Sequence, residues 1–430
     1  MKQFKKTFVA LAIAFATFTV SAQTSNTSSA SKSFFETDVD YFMDENNWNK
    51  VKPENGFGYF GMDYKSYQLG FAKQFDKAYW GTYFNGAFGD YEKTVKKSGS
   101  DKIITSKEGY PDSTSISFYN LIGIDNIGLK LGCYYFNYDS SVTDDGTTKT
   151  DTDKAEYGLF ARAGLTSATF ANHEVQPYAW CNFYWNYDWG GAKVITTTKA
   201  TDKSVTTDSR KWYLNGGVGG TFTLSNGSVK ESYLLTSAQV SIKKPINKDE
   251  KENPDYYKYD YLYFYVPVTY KVVYKPSEQL SVGARTGIGT SFTALTTDKD
   301  NSSTTIRLSP YVYTGLQYDT LKKVILNAGV SFTVPNLSYT TSKNSANDTT
   351  TTSFTWNEYS YNPSLSFSSG FQFNPVKNLC IDCNYSILSG VLGNDLTTDF
   401  TEGAADADIF WKNVNNALVH DISFGVSYKF

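Results

Sequence analysis

Five charged residues stand at positions that a period-two pattern turns to one face: Glu156, Arg162, Arg285, Arg307 and Asp382. Guanidinium and carboxylate groups opposed across a narrow lumen set up a transverse field that orients polar solutes. The plainer reading of each is a solvated or paired wall charge, because exposed ion pairs are common and weak. Other chemistry-bearing residues are sparse. There are only two histidines. His173 falls in an expected turn with no second His or paired Cys nearby, so no zinc-type ligand set forms around it. His420 shares a face with Ile422 and Phe424, and no nucleophile motif marks a partner serine. Cys133 and Cys181 lie on outward positions of different hairpins. Cys380 and Cys383, three apart, point to opposite faces of a strand and lack the βαβ context of a redox motif. The acidic run Asp395, Asp399, Glu402, Asp406 and Asp408 lacks the spacing of a calcium loop and reads as solvated. The expectation is therefore no enzyme, no catalytic residue, no cofactor and no metal.

The elements that position these charges are strands. In the last nine residues, Ile422 to Phe430, large apolar residues fill the even positions and small or polar ones the odd. A period of two sends the two sets to opposite faces of a strand. The pattern recurs at 79–90 (Trp80, Thr82, Phe84 and Phe88 against Gly81, Asn85 and Gly89) and at 127–138, 155–166, 174–188 and 211–225. It appears again at 279–293, 304–318, 323–334 and 359–373. Tight turns are expected near Asp76-Lys77, Asp125-Asn126, Asn226-Gly227, Pro276-Ser277, Thr320-Leu321 and Asn374-Pro375, Asn-Gly being a favoured two-residue hairpin turn. They alternate with long polar connections at about 91–112, 139–154, 190–208, 243–255, 295–303, 341–355 and 391–416. Short turns on one side and long loops on the other are the habit of barrels that cross a membrane.

The start of the chain reads as an export signal. Lys2, Lys5 and Lys6 precede a mostly apolar run from Phe8 to Val20, and Val20-Ser21-Ala22 is a small-residue cleavage site. The division expected is 1–22 signal peptide, 23–33 flexible segment and 34–430 barrel. Mean hydropathy is −0.40, and no later stretch approaches the roughly 18 apolar residues of a membrane helix. A spanning strand needs only about 9–11 residues, half of them facing a polar interior, so a low mean hydropathy is compatible with a barrel. Aromatics reach 17%, with 34 Tyr and 30 Phe, and such rings favour the headgroup level of a bilayer. A net charge of −3 argues against nucleic-acid partners.

Fifteen strands are expected from Tyr64 onward. Barrels of a single bacterial chain usually close with an even number, so a sixteenth is placed at residues 34–43 (Phe35, Thr37, Val39, Tyr41 and Met43 alternating with Glu36, Asp38 and Asp40). The alternative is fourteen strands with residues 23–60 as a plug, the weakest strand being 228–242. Pro177, Pro267, Pro310, Pro335 and Pro363 fall inside strands, where they mark bulges or ladder ends.

The terminal strand ending on an aromatic residue resembles the outer-membrane β-barrel proteins of diderm bacteria. That resemblance implies an all-β, up-and-down antiparallel barrel with long loops outside the cell, embedded in outer-membrane lipid. It also implies an insertion machinery that reads Val426, Tyr428 and Phe430. Chain length and in-strand prolines are compatible with FadL-type fatty-acid transporters, although residues 23–60 show no Asn-Pro-Ala segment of the kind found there. Small inward residues (Gly283, Gly287, Gly289, Ser364, Ser366, Ser368) favour an open lumen. The function expected is a porin-like channel for small polar solutes. FadL-like uptake of hydrophobic compounds and ligand binding by the long loops are the alternatives. No oligomeric state is assigned.

Overall fold

The computed structural model describes residues 38–51, 56–63, 66–97, 104–144, 148–187, 193–198, 203–208, 210–246, 260–296, 301–320, 323–333, 337–344, 349–356, 364–376, 378–389 and 418–430. The expected signal peptide, the 23–33 segment and the whole of the acidic run's loop lie outside these residues, as do Pro335 and Pro363.

Alternating apolar and small or polar residues give strands throughout, and all belong to one 21-stranded sheet. In chain order they are β1 (Phe57–Asp63), β2 (Ser66–Phe75), β3 (Ala78–Lys97), β4 (Ile104–Ile124), β5 (Ile127–Asp144), β6 (Thr148–Leu165), β7 (Ala168–Phe170), β8 (His173–Tyr187), β9 (Lys193–Thr198) and β10 (Lys203–Asp208). There follow β11 (Lys211–Asn226), β12 (Lys230–Pro245), β13 (Asp260–Tyr274), β14 (Leu280–Thr296), β15 (Asn301–Asp319), β16 (Val324–Thr333), β17 (Leu337–Asn344), β18 (Thr349–Trp356), β19 (Ser364–Val376), β20 (Leu379–Ser389) and β21 (Leu418–Lys429). Sixteen of them form a closed antiparallel wall. The other five, β7, β9, β10, β17 and β18, are accessory.

Each wall strand pairs with the next one along the chain. The seam closes where β1 meets β21, from Phe57 opposite Lys429 to Met62 opposite Phe424. Closure leaves no edge within the wall, so backbone groups are satisfied without water. At the seam Phe430 N donates to Gly56 O at 2.7 Å, and the Phe430 ring covers Gly56 and Gly58.

The outer face carries exposed apolar residues at the outward register, among them Leu69, Leu131, Leu159, Val218, Val282, Leu316, Phe367 and Ile422. Leu159 is 63% exposed and Val218 60%; in water such a band would be costly, whereas lipid tails accept it. Exposed Trp80, Tyr274 and Tyr318 stand near the short-turn rim, and Tyr157 and Trp185 stand farther up the wall, as amphipathic rings do at bilayer interfaces. The short turns use left-handed residues: Asp76, Asp125, Asn172 and Ala171, the last at φ 49°. His173 opens β8 and pairs with Phe170.

Two expectations change. The sixteenth strand expected at 34–43 is not seen in its described part: Asp38–Tyr41 is a helical turn, α1, and the first wall strand is β1. Its sequence, Phe57-Gly58-Tyr59-Phe60-Gly61-Met62-Asp63, is aromatic on both faces, which hides the period of two. Segment 228–242, the weakest by alternation, is a strand as the sixteen-strand reading expects: it falls in β12, which long ladders on both sides fix. Several long connections are themselves hairpins. β9 continues the sheet from the top of β6, β10 pairs with β9, β17 pairs with the upper half of β15, and β18 pairs with β17. Their Thr-rich runs read as loop composition, yet Thr is β-branched and favours strands.

The prolines sit at ladder breaks. The β6–β8 ladder ends at Gly164–Tyr178, just before Pro177. At Pro310 the partner of β15 switches from β17 to β16. At Pro267 the β12–β13 ladder is interrupted, and Thr236 Oγ1 donates to the Pro267 carbonyl at 3.1 Å.

Candidate functional site

The interior is not an empty pore. Residues 38–51 enter the lumen as an internal plug near the short-turn rim and pack against the β1–β8 side of the wall. Asp44 shapes this segment: its Oδ1 accepts from Asn46 N at 2.8 Å, its Oδ2 from Asn47 Nδ2 at 2.9 Å, and its carbonyl from Trp48 N at 3.0 Å. A 3-10 turn, Trp48–Lys50, follows. This tight coil needs no sheet partner, and Glu45 and Asn46 turn to the wall.

Apolar contacts seat the plug. Phe42, Trp48 and Val51 join Phe57, Ala72, Tyr79 and Leu121 in the buried core cluster of the described residues. The inward glycines of the wall are its sockets. A Cβ on Gly123 would lie 2.4 Å from Trp48 Cε2, and one on Gly70 would lie 2.5 Å from Phe42 Cζ. Tyr79 Oη donates to Phe42 O at 2.7 Å.

Polar contacts orient it. Glu45, 3% exposed, reaches Arg162 Nε at 2.8 Å and Lys130 Nζ at 3.3 Å. Lys130 Nζ also donates to Met43 O at 2.8 Å. Asn46 Nδ2 donates to Leu165 O at 2.8 Å and to Pro177 O at 2.9 Å. These are carbonyls that the ladder break at Pro177 leaves available, so a wall defect serves as a plug anchor. Gln176 Nε2 donates to Asn47 Oδ1 at 3.1 Å and to Thr166 O at 2.9 Å.

Between the plug and the far wall, β12 to β15, lies a cavity of about 770 Å³. Its lining is largely polar, with Asp44, Glu45, Lys50, Arg162, Glu231 and Lys271 among the charged groups. Lys275 and Glu231 form an ion pair at its edge. Burial pushes the Asp44 carboxyl up from its ordinary value. Hydrogen bonds from Asn47 and Asn46 oppose the rise, the neighbouring Glu45 charge adds to it, and Lys130 offsets part of it.

All five charged residues singled out in the sequence fall on the lumen register. Lys130 opposite Arg162, and Phe136 opposite Glu156, place Arg162 and Glu156 inside. Glu156 is buried. Arg285 pairs in register with Lys271 and Tyr313. Arg307 Nε donates to Ser338 Oγ at 3.3 Å. Asp382 faces Gly425, and Asn384 Nδ2 donates to its Oδ2 at 3.4 Å. Arg162 is paired with the plug's Glu45, a partner that sequence reasoning missed. The signal available was the run Asp44-Glu45-Asn46-Asn47-Trp48-Asn49, too polar for a spanning strand and rich in turn formers.

Gly287 and Gly289 do not leave the open space expected of them. The Tyr311 hydroxyl would lie 2.5 Å from a Cβ on Gly287, and that of Tyr265 2.5 Å from one on Gly289. Rings therefore lie down over glycines, the cross-strand aromatic rescue familiar in sheets. Tyr83, Tyr119, Phe160, Tyr184 and Tyr213 form a continuous chain of ring contacts across the neighbouring wall strands from β3 to β11, with centroids 5.4–6.2 Å apart. Among cysteines, Cys133 and Cys181 are exposed, and all four are free thiols.

A closed antiparallel wall, apolar outside and polar-aromatic inside, defines a transmembrane β-barrel, here one carrying an internal plug. No family model and no curated protein matches the sequence. Among solved structures, similar folds include CdiB from Escherichia coli (7% identity, 87% of this chain and 63% of that one, TM-score 0.47). They also include the toluene transporter TodX from Pseudomonas putida (11%, 96% and 98%, 0.38) and the CymD monoaromatic hydrocarbon channel (9%, 90% and 94%, 0.33). The chain spans less than two thirds of the CdiB chain. At these identities and scores the likenesses say nothing of solute or partner.

Proposed function

We propose that this chain is an outer-membrane transport barrel that passes small polar solutes through the space beside its plug. In this reading the short turns face the periplasm, the hairpins face outward, and Val426, Tyr428 and Phe430 form the insertion signal. One observation carries the proposal: among the described residues the plug is stitched to the β1–β8 side and leaves a polar cavity of about 770 Å³ against β12–β15. A cavity of that size holds a small solute. Its charged lining disfavours hydrophobic cargo, since apolar ligands do not repay the desolvation of such groups. Arg162 then serves to hold the plug, while Glu156, Arg285, Arg307 and Asp382 set the field that a solute meets.

The test is single-channel conductance of the detergent-purified chain in a planar bilayer, beside a Gly123→Phe variant that denies Trp48 its socket. Small steps in the native protein and larger ones in the variant support the proposal. Silence from both, with each shown to be a folded barrel, would overturn it.

A further inference from the structure

We infer that the lumen holds a binding position for small aromatic carboxylates, centred on Arg285 and flanked by the rings of Tyr178, Tyr265 and Tyr313. The inference rests on the reading of the lumen as a solute route and names the chemical class of solute.

Arg285 is half-buried on the lumen side of β14. Its Nε is buried and lacks a hydrogen-bond partner, and no described residue forms an ion pair with its guanidinium. The neighbour in register on β13 is Lys271, another cation, and the neighbour on β15 is Tyr313. A sheltered cation without a counter-charge is costly. A guanidinium presents a planar fork of donors that matches a carboxylate.

The surroundings suit a flat body attached to that carboxylate. Tyr265 and Tyr178 both lie within electrostatic reach of Arg285. Tyr265 lies down over Gly289, and Tyr178 lies over Gly219, whose added Cβ would be 2.6 Å from the Tyr178 ring. Tyr313 contacts Tyr311 with ring centroids 5.2 Å apart, and the Tyr311 hydroxyl is held by Thr269. Rings laid along a wall turn faces to the lumen, and aromatic faces take flat partners in offset or tilted stacks. A solute with one carboxylate and one ring satisfies the guanidinium and the platform together. Acetate offers only the first group, and benzyl alcohol mainly the second.

Calorimetric titration of the detergent-purified full chain with benzoate, acetate and benzyl alcohol tests this. Benzoate is expected to bind at least about tenfold more tightly than either half. Arg285→Gln should bring benzoate to the level of benzyl alcohol, and Arg285→Lys should fall between. Benzoate binding no tighter than acetate, or unchanged by Arg285→Gln, overturns the inference. Should Arg285→Gln fail to fold, Tyr265→Ala decides: it must lose the advantage of benzoate over acetate. Benzoate binding without conductance defeats the transport reading and leaves the binding position standing. Conductance without benzoate preference defeats the binding position alone.

Discussion

Glu45 Oε1 and Arg162 Nε stand 2.8 Å apart, joining the internal plug to the barrel wall, and Lys130 approaches the same carboxylate from the adjacent strand. Removing Glu45 leaves two wall cations facing each other without an anion. Glu45→Gln is expected to weaken plug docking by about 1–3 kcal/mol, the lower part of that range being favoured because Arg162 is partly exposed. The readout is limited proteolysis of the folded barrel: cleavage within 38–51 should quicken roughly tenfold or more while the wall stays protected. Equal cleavage rates in variant and wild type would show that the pair does not hold the plug.

Asn46 offers an independent measure of the same docking. Its Nδ2 satisfies Leu165 O and Pro177 O, so Asn46→Ala strands two acceptors, at a cost of about 1–3 kcal/mol. Combined with Glu45→Gln, the effects should exceed or fall short of additivity by about 0.5 kcal/mol or more, because neighbouring residues share one docked segment. Strict additivity in the proteolysis assay would mean that the two anchors act as separate contacts.

The wall was legible in the sequence, whereas a plug within residues 23–60 was legible only as the alternative to a sixteenth strand at 34–43, for physical reasons. Strands such as β14, with Val282, Ala284, Ile288 and Phe292 against Gly283, Arg285, Gly287 and Gly289, separate a lipid face from a lumen face, and that separation is written as a period of two. β1 lacks the signal because Phe57 and Tyr59 point inward to meet the plug, so both of its faces are aromatic. The plug has no period, since its order comes from Asp44 hydrogen bonds and from sockets such as Gly123 that lie far away in sequence. The inward charges were legible by register, but the pairing of Arg162 with Glu45 was not, because it depends on where a non-strand segment folds back. The glycines misled: Gly287 and Gly289 leave room, and Tyr311 and Tyr265 take it.

Plug docking should depend on pH through Asp44. Burial raises its carboxyl in the docked state, so the docked plug holds a proton more tightly than the released plug does. Docking therefore strengthens as pH falls through the docked value and levels off below the ordinary value of the released carboxyl. The contribution is absent above the docked value and fully present below the ordinary one. Asp44→Asn removes this slope while keeping a side-chain acceptor for Asn46 N. Trp48 fluorescence followed from neutral to mildly acid pH should change less in Asp44→Asn than in wild type. Identical profiles would assign the pH response to other groups.

The seam gives a prediction about the wall itself. Gly56 adopts φ 141°, a backbone region that L side chains rarely occupy, and Phe430 Cδ2 would lie 3.2 Å from a Cβ added there. Gly56→Ala thus combines backbone strain with a clash against the terminal ring that closes β1 on β21. The expected cost is about 1–3 kcal/mol. Phe430→Ala instead empties the space over Gly56 and Gly58 and also removes the terminal aromatic. If Phe430 acts mainly in closure, the two variants should lose heat resistance of the folded band in gel electrophoresis to a similar degree. If it acts mainly as an insertion signal, Phe430→Ala should lower the amount of barrel assembled in cells, while protein refolded in detergent keeps its stability. Full stability in Gly56→Ala would contradict the seam geometry.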